Sequence, residues 1–208
     1  MRSQPGSRRP DTVARQGPTQ KVIAERLRDC LREKLTGLGV EVEAGFNLYY
    51  SLSIDSAGRV TTEKADKGII RRGGLSSFET DLAIFERPHP GEHVVPRVVV
   101  EILRGVSTHH LIIYSTKAAR HKEVYPYLQY GLLVVGEKAK IHPKVLRHGQ
   151  HFDFMYVTPA AWLNEEELET LASVVRQQIE QSRQISRYLG RLARDERPTL
   201  AWKRVSFE

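Results

Sequence analysis

Two long apolar runs, each with an acid set inside it, dominate the hydrophobic pattern of the chain. They are Phe78-Glu79-Thr80-Asp81-Leu82-Ala83-Ile84-Phe85 and Val95-Pro96-Arg97-Val98-Val99-Val100-Glu101-Ile102-Leu103. Both predict buried strands, joined by a Pro-, Gly- and His-bearing loop at 86–94. A carboxylate inside a buried strand is costly unless a cation compensates for it, so Asp81 and Glu101 are the positions to explain.

The rest of the pattern arranges itself around these strands. Val22, Ile23, Leu27, Cys30, Leu31 and Leu35 form one helical stripe over 19–36, and Gly37 and Gly39 stop it. Residues 40–54 alternate and are rich in Val, Tyr and Phe, which predicts a strand bent at Gly45. A helix is expected over 107–125, with Ser107 or Thr108 as its N-cap and Pro126 near its end, followed by a short buried strand over 131–136. Strand, helix and strand in that order make a crossover unit, which sets the two strands parallel in one sheet. A further strand over 152–157 belongs at the sheet edge. A long charged helix over 164–192 carries Leu168, Leu171, Val174, Val175, Ile179, Ile185 and Leu189 on its apolar positions. The fold class expected is α/β, a central mixed sheet of four to six strands flanked by helices.

Three regions follow from composition. Residues 1–18, rich in Pro, Gly, Ser and Arg, predict a disordered basic arm; 19–160 form the α/β core; 161–208 supply a helix and tail that pack on the core or at a dimer interface. The chain of 208 residues is long enough for one substantial core without disulfides or structural metal. Cys30 is the only cysteine, so neither an intrachain disulfide nor a cysteine-rich zinc site can form. No apolar run approaches the roughly 18–20 residues of a membrane span, and the polar N-terminus lacks a signal-peptide core, so a cytoplasmic, non-membrane protein is expected.

With 32 Lys and Arg against 25 Asp and Glu, the net charge is +7, which favours a polyanionic partner, nucleic acid foremost. Arg71-Arg72-Gly73-Gly74 pairs two guanidinium groups with two glycines, a combination that lets backbone and side chain approach a phosphate closely. Arg104, just past the second acid-bearing strand, is a third candidate nucleic-acid contact. Several hydrolase signatures are missing: no His pair with zinc-protease spacing, no phosphate-binding Gly-x-x-x-x-Gly-Lys-Ser/Thr loop and no Gly-x-Ser-x-Gly elbow.

The order helix, strand, acid-bearing strand, acid-bearing strand, helix, strand resembles the PD-(D/E)XK nuclease superfamily from about residue 19 to 136. In that pattern an acid on one strand is followed some ten to thirty residues later by a second acid, with a lysine two residues beyond. Asp81 and Glu101, with nineteen residues between them, match the acids, but Leu103 stands at the lysine position. The chain is most similar to a branch that carries its lysine on the following helix, where Lys117 and Lys122 are available. A restriction-endonuclease-like core is the fold this resemblance implies. The activity implied is DNA hydrolysis by a homodimer dependent on Mg²⁺ or Mn²⁺, with Asp81, Glu101 and the Ile102 carbonyl holding the metal.

Helix geometry chooses between the lysines. The helix runs back antiparallel to the Glu101 strand at about 1.5 Å per residue, which places Lys117 within reach of the acid and Lys122 about 7.5 Å further away. Tyr114 and His121 share a helix face with Lys117 and are candidate supporting residues. Strand alternation places Glu79 beside Asp81 as a further candidate ligand, and Glu25 is the candidate acid on the first helix. Two alternatives from other classes stand beside the enzyme: a catalytically inactive DNA-binding protein of the same fold, and an interaction protein that assembles through its C-terminal helix.

Overall fold

The computed structural model describes residues 18–50, 53–54, 60–61, 77–87, 94–137, 139 and 143–192. In chain order its elements are α1 (Gln20–Lys34), β1 (Glu41–Tyr49), β2 (Ser53–Ile54), β3 (Val60–Thr61), β4 (Ser77–Glu86) and β5 (Val95–Arg104). They continue with α2 (Thr108–Val124), β6 (Gln129–Val135), α3 (Pro143–His148), β7 (Phe154–Thr158) and α4 (Glu165–Leu192). The N-terminal arm, Arg71 and Arg72, and the residues after 192 lie outside the described residues.

A five-stranded mixed sheet, ordered β1-β4-β5-β6-β7, is the centre of the molecule. β1, β4 and β5 pair antiparallel, while β6 and β7 join parallel, each after a crossover. Among the described residues the short β2 and β3 pair with each other, and the continuous strand expected over 40–54 ends instead at Tyr49. α3 falls in a segment whose sequence pattern predicted no element.

Both sheet faces are covered. On one, Ile23, Leu27 and Leu31 of α1 and Leu171, Val175 and Ile179 of α4 pack with Leu82, Ile84, Val98, Val100 and Ile102. On the other, Leu111 and Ala118 of α2 join two smaller clusters that include Ala83, Phe85, Val99, Leu103, Leu132 and Val134. Strands buried on both faces need near-continuous apolar runs, which accounts for the composition of β5 and β6. Each such side chain stabilises the fold by about 1.5–3 kcal/mol when fully buried.

Helix ends follow local chemistry. Thr19 caps α1 by accepting from the Val22 amide at 3.4 Å, and Ser107 caps α2 by accepting from the His110 amide at 3.1 Å. Asn164 and Glu167 cap α4 reciprocally: each side chain accepts from the other's backbone amide, at 2.9 and 2.8 Å. α4 is tied to the far end of the sheet by Arg183, which donates to Glu86 at 2.6 Å while Arg97 binds the same carboxylate. Among the described residues no helix is long and apolar enough to cross a membrane.

Candidate functional site

The β4–β5 ladder runs from Glu86↔Val95 to Leu82↔Val100. Continued, it would set Thr80 opposite Ile102, but the Ile102 amide donates to Asp81 Oδ2 at 2.7 Å and the Thr80 hydroxyl donates to the Phe46 carbonyl at 2.9 Å. The strands part at this point, and a side chain takes over from backbone pairing. β1 contributes to the break. Ala44↔Leu82 and Phe46↔Thr80 are paired, while Gly45 between them adopts φ +65, in the left-handed region that a side chain disfavours. Val42 and Ala44 pack on the α1 and α4 side, whereas Phe46 and Leu48 pack on the α2 side. The strand therefore changes face at Gly45, beside Asp81.

Glu101 sits one residue before Ile102 and is buried, with 1% of its surface exposed. Its Oε2 accepts from the Asp81 amide at 3.3 Å, so each acid is hydrogen-bonded to backbone beside the other. Its Oε1 takes two further partners, the Lys117 ammonium at 2.7 Å and the Tyr130 hydroxyl at 2.7 Å. Burial pushes the Glu101 carboxyl up to about 7; the Lys117 charge opposes that rise and the neighbouring Asp81 adds to it. Lys117 also donates to the Glu79 carbonyl and lies 5.5 Å from the centre of the Tyr114 ring. Leu103, at the position where the resemblance calls for a lysine, is buried with Leu111, Leu132 and Val134. An ammonium there would be enclosed by hydrocarbon.

α1 begins at the site. Gln20, its first residue, donates from Nε2 to Asp81 Oδ2 at 3.0 Å and to the Ile102 carbonyl, and lies 3.3 Å from the Tyr114 hydroxyl. Asp81, Glu101, the Ile102 carbonyl and the Gln20 amide thus meet at the end of β5, with Lys117 and Tyr114 entering from α2. Tyr114 is half-buried, and burial raises the pKa of its hydroxyl. The buried stripe of α2 is Leu111, Ser115, Ala118 and His121, which leaves Lys117 at its margin and pointing to the acids.

The remaining sequence candidates have other partners. His121 is fully buried behind the site. Its Nε2 faces the Leu48 carbonyl at 3.1 Å, and burial, helped by the Lys117 charge, lowers its pKa to about 4, so it is a neutral donor within the core. Lys122 turns away from the acids to Asp153, at 2.5 Å, and to the His151 carbonyl at 2.8 Å. The Glu79 carboxylate leans over Gly45, where an added Cβ would come within 3.2 Å of its Oε1. Glu25 lies five residues beyond Gln20, about 140° around the helix. Arg104 is exposed at the end of β5, and Arg97 binds Glu86 rather than either site acid.

Gln20 and Tyr130 are site residues that the sequence reading passed over. Both carried a signal. Gln20 lies on the stripe of Ile23, Ala24 and Leu27, a polar residue on the buried face of α1. Tyr130 is the one hydroxyl in the buried run of β6, and a buried tyrosine needs a partner for its O–H.

The donor set is of hard oxygen ligands: two carboxylates, a backbone carbonyl and, with its amide turned, the Gln20 side-chain oxygen. Among the described residues no group of three or more His, Cys, Asp and Glu gathers, so the acids here number two. Searches against protein-family models and against curated proteins find no match to this chain.

Proposed function

We propose that the chain is a metal-dependent endonuclease acting on DNA, with a restriction-endonuclease-like core of the PD-(D/E)XK type. The observation that carries this reading is the convergence of Asp81, Glu101 and the Ile102 carbonyl with Lys117, whose ammonium stands 2.7 Å from Glu101 although the strand position for a lysine is Leu103. The donor set suits Mg²⁺ or Mn²⁺, which are bound through one or two carboxylates, with water and substrate phosphate completing the shell. When bound, such an ion supplies Lewis acidity, lowering the pKa of a water and offsetting the charge that develops on the phosphorus oxygens.

The residues of the chain do the rest. Asp81 is held by the Ile102 amide and Glu101 by Tyr130 and Lys117, so neither carboxylate has to reorganise to receive a cation. Lys117 balances the buried charge of Glu101 and stands where it can orient a water or contact a phosphate. The net charge of +7 supports a nucleic-acid partner, and cutting both strands of a duplex calls for two such sites, hence a homodimer.

One observation favours a second reading, an inactive DNA-binding protein of the same fold: Lys117 is engaged by Glu101 and by the Glu79 carbonyl, leaving its ammonium partly committed. Plasmid nicking separates the two. The nuclease reading expects Mg²⁺- or Mn²⁺-dependent nicking that Asp81→Ala and Glu101→Ala each abolish; salt-sensitive DNA binding without nicking supports the second, and nicking unchanged in both variants removes the site assignment.

A further inference from the structure

Tyr130 is anchored more firmly than a packing residue requires. Its backbone amide donates to Asp153 Oδ2 at 2.7 Å and its carbonyl accepts from the Asp153 amide at 2.7 Å. Asp153 is in turn held by Lys122 at 2.5 Å. The ring is fully buried, 5.8 Å from His121 and 6.3 Å from Phe152, centre to centre. Backbone and ring are therefore fixed, and the hydroxyl arrives at Glu101 Oε1 from a set direction, at 2.7 Å.

That bond decides how the carboxylate is presented. Oε1 is occupied by Tyr130 on one side and Lys117 on the other, which turns Oε2 to the Asp81 side, where it accepts from the Asp81 amide. Lys117 reaches Glu101 along a flexible four-carbon stem and cannot fix the plane of the carboxylate alone, whereas a buried phenol with a clamped backbone can. We infer that Tyr130 is a positioning residue: it sets the rotamer of Glu101 so that Oε2 is offered to a divalent cation shared with Asp81, and the Lys122–Asp153 pair holds Tyr130 in place. This rests on the metal-site reading above. It also assigns Lys122 a part in the site without contact to the acids.

Mn²⁺ binding to the full chain, followed by electron paramagnetic resonance of the free ion, tests the inference without relying on turnover. Tyr130→Phe keeps the buried ring and removes only the hydroxyl; Leu128→Ala removes packing from the same apolar cluster. Tyr130→Phe should weaken Mn²⁺ binding about tenfold, the lower end of what loss of a supporting hydrogen bond costs a metal site, while Leu128→Ala lowers the melting temperature and leaves Mn²⁺ affinity unchanged. Parental affinity in Tyr130→Phe, or equal weakening in both variants, overturns the positioning role and leaves the functional reading standing. A parent chain that binds no Mn²⁺ overturns both.

Discussion

Lys117 on α2 lies 2.7 Å from Glu101 on β5, while Leu103, two residues past Glu101 on its own strand, is enclosed by Leu111, Leu132 and Val134. The compensating cation for a buried strand acid thus comes from the next element in the chain. Lys117→Met should lower metal-dependent cleavage by about 10²–10³-fold, the usual cost of removing one positioned charge from a site. Leu103→Lys should not restore it, because the new ammonium would displace packed hydrocarbon; the variant should instead unfold at lower denaturant concentration. Cleavage assays and urea melts of the two variants check both statements.

Lys122 should behave differently from Lys117. Its ammonium holds Asp153, whose side chain is nearly buried. Lys122→Met removes an ion pair from that carboxylate and should cost about 2 kcal/mol of stability, measurable by urea denaturation. Lys122 touches neither site acid, so any loss of cleavage should come through Tyr130 and be smaller than that of Lys117→Met.

His121 gives the fold an acid-side sensitivity. Its pKa falls from 6.5 to about 4 in the folded chain, through burial first and the Lys117 charge second. A group whose folded pKa is depressed contributes full stability above its unfolded pKa and loses it as pH falls toward the folded value, because only the unfolded chain takes up the proton. Taken alone, this group should lower stability by up to about 3 kcal/mol between about pH 6.5 and 4, against an opposite trend from Glu101, whose carboxyl, raised to about 7 by burial, takes up its proton in the folded chain first. His121→Gln, which can still donate to the Leu48 carbonyl, should raise stability at pH 4 relative to pH 7 when compared with the parent chain; an unchanged difference between the two pH values would show that His121 does not contribute.

Gly131 is fixed by its neighbour rather than by its backbone angles. A Cβ at this position would run into the ring of Phe154 on the adjacent strand. Gly131→Ala should destabilise the chain by about 1–3 kcal/mol, and Phe154→Leu in the same chain should recover part of that loss. Thermal melts of the single and double variants measure the coupling.

Much of this architecture was legible because it rests on burial. Continuous apolar runs gave β4, β5 and β6, helical stripes gave α1, α2 and α4, and the strand–helix–strand order gave the parallel pairing of β5 with β6. Features that depend on where a polar side chain turns were harder to read. Gln20 shares the buried stripe of α1, but what its amide reaches depends on the strand end that the fold brings to it. Tyr130 is hidden within an apolar run. Alternation along β4 gives Glu79 the Asp81 face, and its carboxylate leans over Gly45, the glycine at which β1 changes face, a contact that alternation alone does not reveal. Lys117 could be preferred to Lys122 from helix rise alone, since the distance along the helix axis separates them whatever the side-chain rotamers.

The proposed nuclease stands or falls on Asp81, Glu101 and the Ile102 carbonyl forming one cation site served by Lys117. An anomalous difference map from crystals soaked in Mn²⁺ tests it most directly. The expected map has a peak within about 2.5 Å of an oxygen from each of these three residues, with Gln20 turned to present its oxygen and the Lys117 ammonium still beside Glu101. A soaked crystal with no peak there, and with Gln20 still donating to Asp81 and the Ile102 carbonyl, would contradict it.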